Sequence, residues 1–220
     1  MRDNLKFLIK SILAGIMIGI GGTIFLSLEN KIVGAFMFAI GLFAIVSMEL
    51  NLFTGKIGYI FNRKPIYLIE VLITLVGNFI GTNIVGFILR FTRIYNNISA
   101  VAQNICTIKV NDNVLSILIL SMFCGTLMYI AVNGYKTLKD DLGRNLGVFL
   151  CVAVFILCGF EHCVANMYYF AVAGMWTGKS LLYLLVMILG NSMGGVLIPL
   201  CEKLINVTQK NETKTIQEKK

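Results

Sequence analysis

Gly159-Phe160-Glu161-His162-Cys163-Val164-Ala165-Asn166-Met167 places an acid and the chain's only histidine inside a stretch that is otherwise uncharged from Leu146 to Gly178. The two apolar pieces it separates, Leu146 to Phe160 and Cys163 to Gly178, are too short to cross ~30 Å of hydrocarbon twice with a loop between them. They therefore count as one interrupted span. An ionisable side chain at that depth costs ~3 kcal/mol on insertion scales and normally faces a cavity or a polar partner. Either His162 is a neutral residue that hydrogen-bonds across helices, or it lines a pathway. Its uniqueness and its position at a helix break favour the pathway.

Five further uncharged runs flank this segment: Ser11 to Leu28, Ile32 to Met48, Val71 to Leu89, Val114 to Tyr135 and Ser180 to Cys201. With 57% apolar and 14% charged residues in 220 and a mean hydropathy of +0.82, the chain reads as an all-α integral membrane protein of six spans. One domain covers residues 1–204, and the polar tail, 205–220, is expected to be disordered. A soluble enzyme is excluded, as is a β-barrel, whose strands would alternate polar and apolar residues.

The formal net charge of +8 does not point to nucleic acid, because the charges sort by side. If the N-terminus is cytoplasmic, fourteen of the nineteen Lys and Arg lie inside, and Lys31, Arg90, Arg93, Lys109 and Lys179 lie outside. The positive-inside rule then places both termini of this multi-pass chain in the cytoplasm, with the cell membrane as its location. The first apolar run lacks a small-residue cleavage site and leads directly into a second, so no cleavable signal peptide is expected and Met1 should be retained.

Glu49-Leu50-Asn51-Leu52-Phe53-Thr54-Gly55 is a second polar interruption. It is either a span ending at Met48 with an ordinary loop or irregular backbone lining a protein-walled cavity, where half-helix ends and freed amides could meet an anion. Gly77-Asn78-Phe79-Ile80-Gly81 and Gly190-Asn191-Ser192-Met193-Gly194 repeat at an offset of 113, which sets His162 opposite Glu49. Two three-span halves, about 5–90 and 113–204, would then have opposite orientations. Gly15, Gly19, Gly21 and Gly22 suit close helix packing. The connection Arg90 to Asn113 is either the mouth of a pathway or a solvated linker. Among the six cysteines only Cys106 lies in an outside loop; all six are expected to be unpaired, and those in or near spans to be packing residues.

Asn51-Leu52-Phe53-Thr54-Gly55, the two Gly-Asn segments and the histidine segment resemble the formate/nitrite transporter family, with the likeness running from about residue 5 to 204. The resemblance implies an aquaporin-like fold of inverted halves with broken second and fifth spans, assembled as a homopentamer with one pore per protomer, conducting small monovalent anions. It implies that His162 is the central pore histidine and Thr54 the threonine of the broken second span. Phe38, Leu42, Leu52, Phe53 and Phe155 would form apolar constrictions, joined by Met128, where the family often has a smaller or branched residue. Lys109 would attract anions as an exposed outer-vestibule cation, and Glu161 and Asn166 would be polar partners around the histidine. Gly125 departs from the pattern, standing where the family usually has an asparagine, and the region before the first span is short.

A bare anion is costly to desolvate in such a constriction. The expected mechanism is attraction at Lys109, hydrogen bonding at Thr54 and His162, and passage of the neutral weak acid with a proton exchanged at His162. Substrates of the formate, nitrite or hydrosulfide type fit, with the lipid bilayer as surroundings, no cofactor and no metal. The alternatives are an aquaporin-like channel for neutral solutes, which would lack its paired Asn-Pro-Ala motifs here, and an intramembrane redox or metal enzyme using Cys158, His162 and Cys163. A single histidine supplies that enzyme poorly.

Overall fold

The computed structural model describes the backbone of residues 2–218 and the side chains of residues 4–206, and within these limits the chain is all-helical. The expectation for Met1 lies outside the described residues, whereas the tail expected to be disordered has a helical backbone as far as Glu218. The helices are α1 (Arg2–Ser27), α2 (Lys31–Ser47), α3 (Phe53–Lys56), α4 (Tyr67–Ile88), α5 (Tyr95–Asn111), α6 (Val114–Thr137), α7 (Asp141–Leu157), α8 (Cys163–Ala173) and α9 (Gly178–Glu218). A 3₁₀ segment, Ile57–Asn62, continues α3. Among the described residues, four helical stretches are long and apolar enough to cross a membrane: Asn4–Ser27, Tyr67–Phe91, Val114–Thr137 and Gly178–Asn206.

The packing repeats itself. α1 lies against α2 and α4 as α6 lies against α7 and α9, and α2 meets α7 between the two sets. α8 packs on α4, and the 3₁₀ segment after α3 packs on α9. Such contacts need small residues where helix backbones approach, because lipid leaves little hydrophobic drive between helices. A Cβ on Gly15 would strike the carbonyl oxygen of Asn78, and one on Gly125 that of Asn191. Gly125 is thus a helix-contact position with no room for the asparagine side chain that the resemblance leads one to expect there.

α8 is buried along its whole length, from Cys163 to Ala173, whereas Leu72, Leu115, Leu142 and Leu185 on surrounding helices are more than half exposed. An apolar exterior around a buried central helix is the distribution a bilayer favours.

The connection Arg90 to Asn113 is not an open linker. It carries α5, whose Ile98, Ala102 and Cys106 are buried one turn apart on a face packed against α8. Tyr95 Oη donates to the Val172 carbonyl at 3.2 Å and Gln103 Nε2 to the Ala173 carbonyl at 3.4 Å, fastening α5 to the end of α8. All six cysteines are free; Cys106, Cys124 and Cys163 are buried, while Cys158 and Cys201 are exposed. Burial pushes the Cys106 thiol up to about 12, so it remains an unreactive packing group.

Candidate functional site

Two helix breaks meet at the centre, and three hydrogen bonds of one correspond to three of the other. In the first, Met48 donates to Ala44, Leu50 to Ile45 and Asn51 to Lys10; in the second, Cys158 donates to Val154, Phe160 to Phe155 and Glu161 to Leu120. Glu49 at φ 52° and Gly159 at φ 68° supply the left-handed turn that ends each preceding helix. For Glu49 this conformation costs ~1–2 kcal/mol that glycine avoids. The extended residue that starts each following short helix is Leu52 in the first break and His162 in the second.

This pattern corrects the register drawn from sequence. His162 is the counterpart of Leu52, and Glu49 is the counterpart of Gly159. The Gly-Asn segments do correspond, but Phe53 and Asn78 are 25 residues apart while Cys163 and Asn191 are 28 apart. Carrying the Gly-Asn offset back to the breaks therefore misplaces them by three residues.

His162 caps α8 through Nδ1, which accepts the Ala165 N–H at 3.0 Å. An acceptor at Nδ1 leaves the proton of the neutral ring on Nε2, and Nε2 lies 3.0 Å from Thr54 Oγ1. The imidazole thus donates to Thr54, and the threonine's own hydroxyl hydrogen is available to a third group. This bond joins the two breaks across 108 residues of sequence.

An apolar shell encloses the pair. Phe155 stacks on His162 with ring centroids 5.5 Å apart, and Phe38 meets Phe155 edge-on at 6.0 Å. Phe38, Leu42, Leu52, Phe53 and Met128 are all at most 3% exposed. On one side, a cavity of about 220 Å³ is lined by Phe25, Lys109, Phe155, Glu161, His162 and Asn166, among others. On the other side, a chamber of about 1010 Å³ is lined by Leu52, Gly55, Lys56, Tyr59, Arg63 and Lys136, among others.

Lys109 differs from its expected place as a free surface charge. Its Nζ donates to Glu161 Oε2 at 2.6 Å, and the two side chains are only 11% and 5% exposed. The expectation fails because α5 folds back over the second break and brings its last turn onto Glu161. Asn166 Nδ2 donates to the same Oε2 at 2.8 Å and to the His162 carbonyl at 3.0 Å. Glu161 and Asn166 thus surround the backbone of the histidine, and no hydrogen bond joins either to its ring. Asn166 Oδ1 is a buried acceptor without a hydrogen-bond partner among the described residues.

Sequence reasoning placed Asn78 and Asn191 in a repeat but gave them no role. Each carboxamide holds one break. Asn78 Oδ1 accepts the Phe53 N–H at 2.8 Å, and its Nδ2 donates to the carbonyls of Asn51 and Ser11, each at 2.8 Å. Asn191 Oδ1 accepts the Cys163 N–H at 2.8 Å, and its Nδ2 donates to the carbonyls of Glu161 at 2.7 Å and Ser121 at 2.8 Å. The available signal was an asparagine next to glycine inside an apolar run, one following each polar break.

Among the described residues no three His, Cys, Asp or Glu side chains are grouped to hold a metal ion. Cys158 is exposed, whereas His162 and Cys163 are buried.

The family model described as Formate/nitrite transporter matches residues 1–202. The formate-nitrite transporter of Plasmodium falciparum (isolate 3D7) is 29% identical over 234 aligned positions, spanning 89% of this chain and 76% of that protein. A solved pentameric formate channel with formate bound superposes with a TM-score of 0.76 at 23% identity, covering 94% of this chain and 98% of the other. A solved FNT family ion channel gives a TM-score of 0.76 at 22% identity, covering 88% and 87%.

Proposed function

The chain belongs to the formate/nitrite transporter family, and on that premise we propose that it is a pore for small monovalent weak-acid anions of the formate, nitrite or hydrosulfide type. The family and the structural neighbours are transporters and channels, so the protein is not an enzyme. The observation that carries the proposal is the Thr54–His162 bond, a single polar link inside an apolar shell with a cavity on either side.

Six spans account for every helix except α5. α2 and α7 have 17 residues each, ~26 Å, and α8 has 11, ~17 Å. None alone matches ~30 Å of hydrocarbon with ease, whereas α2 with α3 and α7 with α8 make two interrupted spans beside the four long ones. The matched hydrogen bonds of the breaks support inverted halves. The apolar exterior and the pentameric neighbour support a homopentamer in the cell membrane. The charge distribution supports a cytoplasmic side for both termini.

The outer cavity admits an ion of a few heavy atoms. Lys109 supplies positive charge there, but Glu161 neutralises most of it, so its reach is short. An anion that enters the shell unprotonated loses its hydration with one or two donors in return, which is costly. The neutral acid loses far less. Its acidic hydrogen meets the free Asn166 Oδ1 on the outer side, and its acceptor atom takes the Thr54 hydroxyl hydrogen at the centre, which His162 Nε2–H polarises. Proton exchange at His162 adds one requirement. A neutral ring is a poor acid, so Nδ1 must first take up a proton and release the Ala165 N–H, which ties exchange to an opening of the α8 cap.

Proteoliposomes supplied externally in turn with formate, nitrite, hydrosulfide, acetate and lactate, assayed at two pH values, test the reading. Faster uptake of the small anions at the lower pH is expected; glycerol or water flux without anion flux would favour the neutral-solute channel.

A further inference from the structure

The two asparagines make the same grip on different residues. In each case the amide oxygen holds the N–H after one residue, and the amide nitrogen holds the carbonyl before it. The residue so bracketed is Leu52 in the first break and His162 in the second. Both bracketed residues are extended, Leu52 at φ −107°, ψ 133° and His162 at φ −97°, ψ 112°. With the backbone fixed on both sides, the direction of the Cβ is fixed as well.

The second donor hydrogen of each amide goes to a long helix, to Ser11 in α1 or Ser121 in α6. Gly15 and Gly125, one turn further along those helices, let the asparagine backbone come near enough. Both Nδ2 hydrogens and the Oδ1 acceptor are therefore used. Aspartate keeps the acceptor and loses both donors; alanine and leucine lose all three contacts.

We infer that Asn191 and Asn78 are positioning residues with separate duties: Asn191 aims the His162 imidazole at Thr54, and Asn78 aims Leu52 into the apolar shell. The assignment rests on the reading of the Thr54–His162 centre as the pore. The bonds of the two grips are equivalent, but what they hold is not. Loosening Asn191 disturbs the group that responds to protons. Loosening Asn78 disturbs the apolar barrier and, through Phe53, the neighbouring Thr54.

The test uses ¹⁵N-imidazole NMR of full-length protein purified without a histidine tag, so that His162 gives the only imidazole signals, together with proteoliposome flux. Asn191→Ala is expected to move both the Nδ1 and Nε2 resonances and to flatten the pH profile of formate flux. Asn78→Ala is expected to move Nε2 alone, through Thr54, to keep the pH-profile shape, and to cut the preference for formate over lactate about tenfold, or ~1.4 kcal/mol. Asn191→Asp preserves volume and the Oδ1 acceptor, so it reports on the lost donors where the alanine variant does not fold; it should move Nδ1 as well. A parent-like Nδ1 resonance in either folded Asn191 variant, or identical changes from Asn78→Ala and Asn191→Ala, would overturn the assignment. A parent protein that carries no small anion would instead refute the pore reading, and the resonances would still decide the positioning.

Discussion

Lys109→Ala separates a buried ion pair from a surface charge. A cation acting by steering from the surface adds ~0–1 kcal/mol to stability when paired and works through a field that salt screens. Lys109 is different: its ammonium is 2.6 Å from Glu161 Oε2, and the two side chains are 11% and 5% exposed. Removing one partner of such a pair leaves the other charge buried, a loss of ~3–5 kcal/mol. Glu161 would keep one hydrogen bond, from Asn166 at 2.8 Å, which places the expected loss near the lower end. About 3 kcal/mol is roughly a hundredfold in the equilibrium that docks α5 on the second break. Thermal unfolding in detergent should show Lys109→Ala well below the parent. Lys109→Met with Glu161→Gln, which removes both charges, should recover most of the difference. A Lys109→Ala protein that melts like the parent, with flux reduced only at low ionic strength, would refute the buried-pair argument.

Thr54→Val, which keeps the shape and deletes the hydroxyl, should leave the His162 Nε2–H unpaired at ~1–3 kcal/mol and lower formate flux at least about tenfold, while Thr54→Ser keeps most of it; initial rates in proteoliposomes give the comparison. Gly125→Ala forces α6 and α9 apart at Asn191 and should lower the melting temperature, by an overpacking cost of ~1–3 kcal/mol. Native mass spectrometry in mild detergent should show five copies, and a stable monomer or dimer would count against the pentamer.

Much of this architecture was legible because lipid imposes simple rules. Apolar runs of the required length mark the helices, and Glu161-His162 stands out because charge at depth is rare. The first break was ambiguous, since Glu49 to Gly55 also suits an ordinary loop; what distinguishes it is the bonding of Leu50 to Ile45 and of Asn51 to Lys10, which no local pattern reveals. α5 was hidden by low hydropathy, although Ile98, Ala102 and Cys106 already had the spacing of one buried helix face. The partner of Lys109 is 52 residues away and depends on how that helix folds back. The repeat was visible in the Gly-Asn segments, but its register at the breaks was not, because the second half carries three more residues between break and asparagine.

The pH dependence of formate flux through His162→Asn tests the central claim most directly. Asparagine is a strong N-cap and can accept the N–H that His162 Nδ1 accepts, so the variant should insert and assemble. Its side chain does not titrate. The account predicts an assembled protein whose flux loses the pH response that proton exchange at His162 imposes. An assembled variant whose flux and pH profile overlay those of the parent would contradict it.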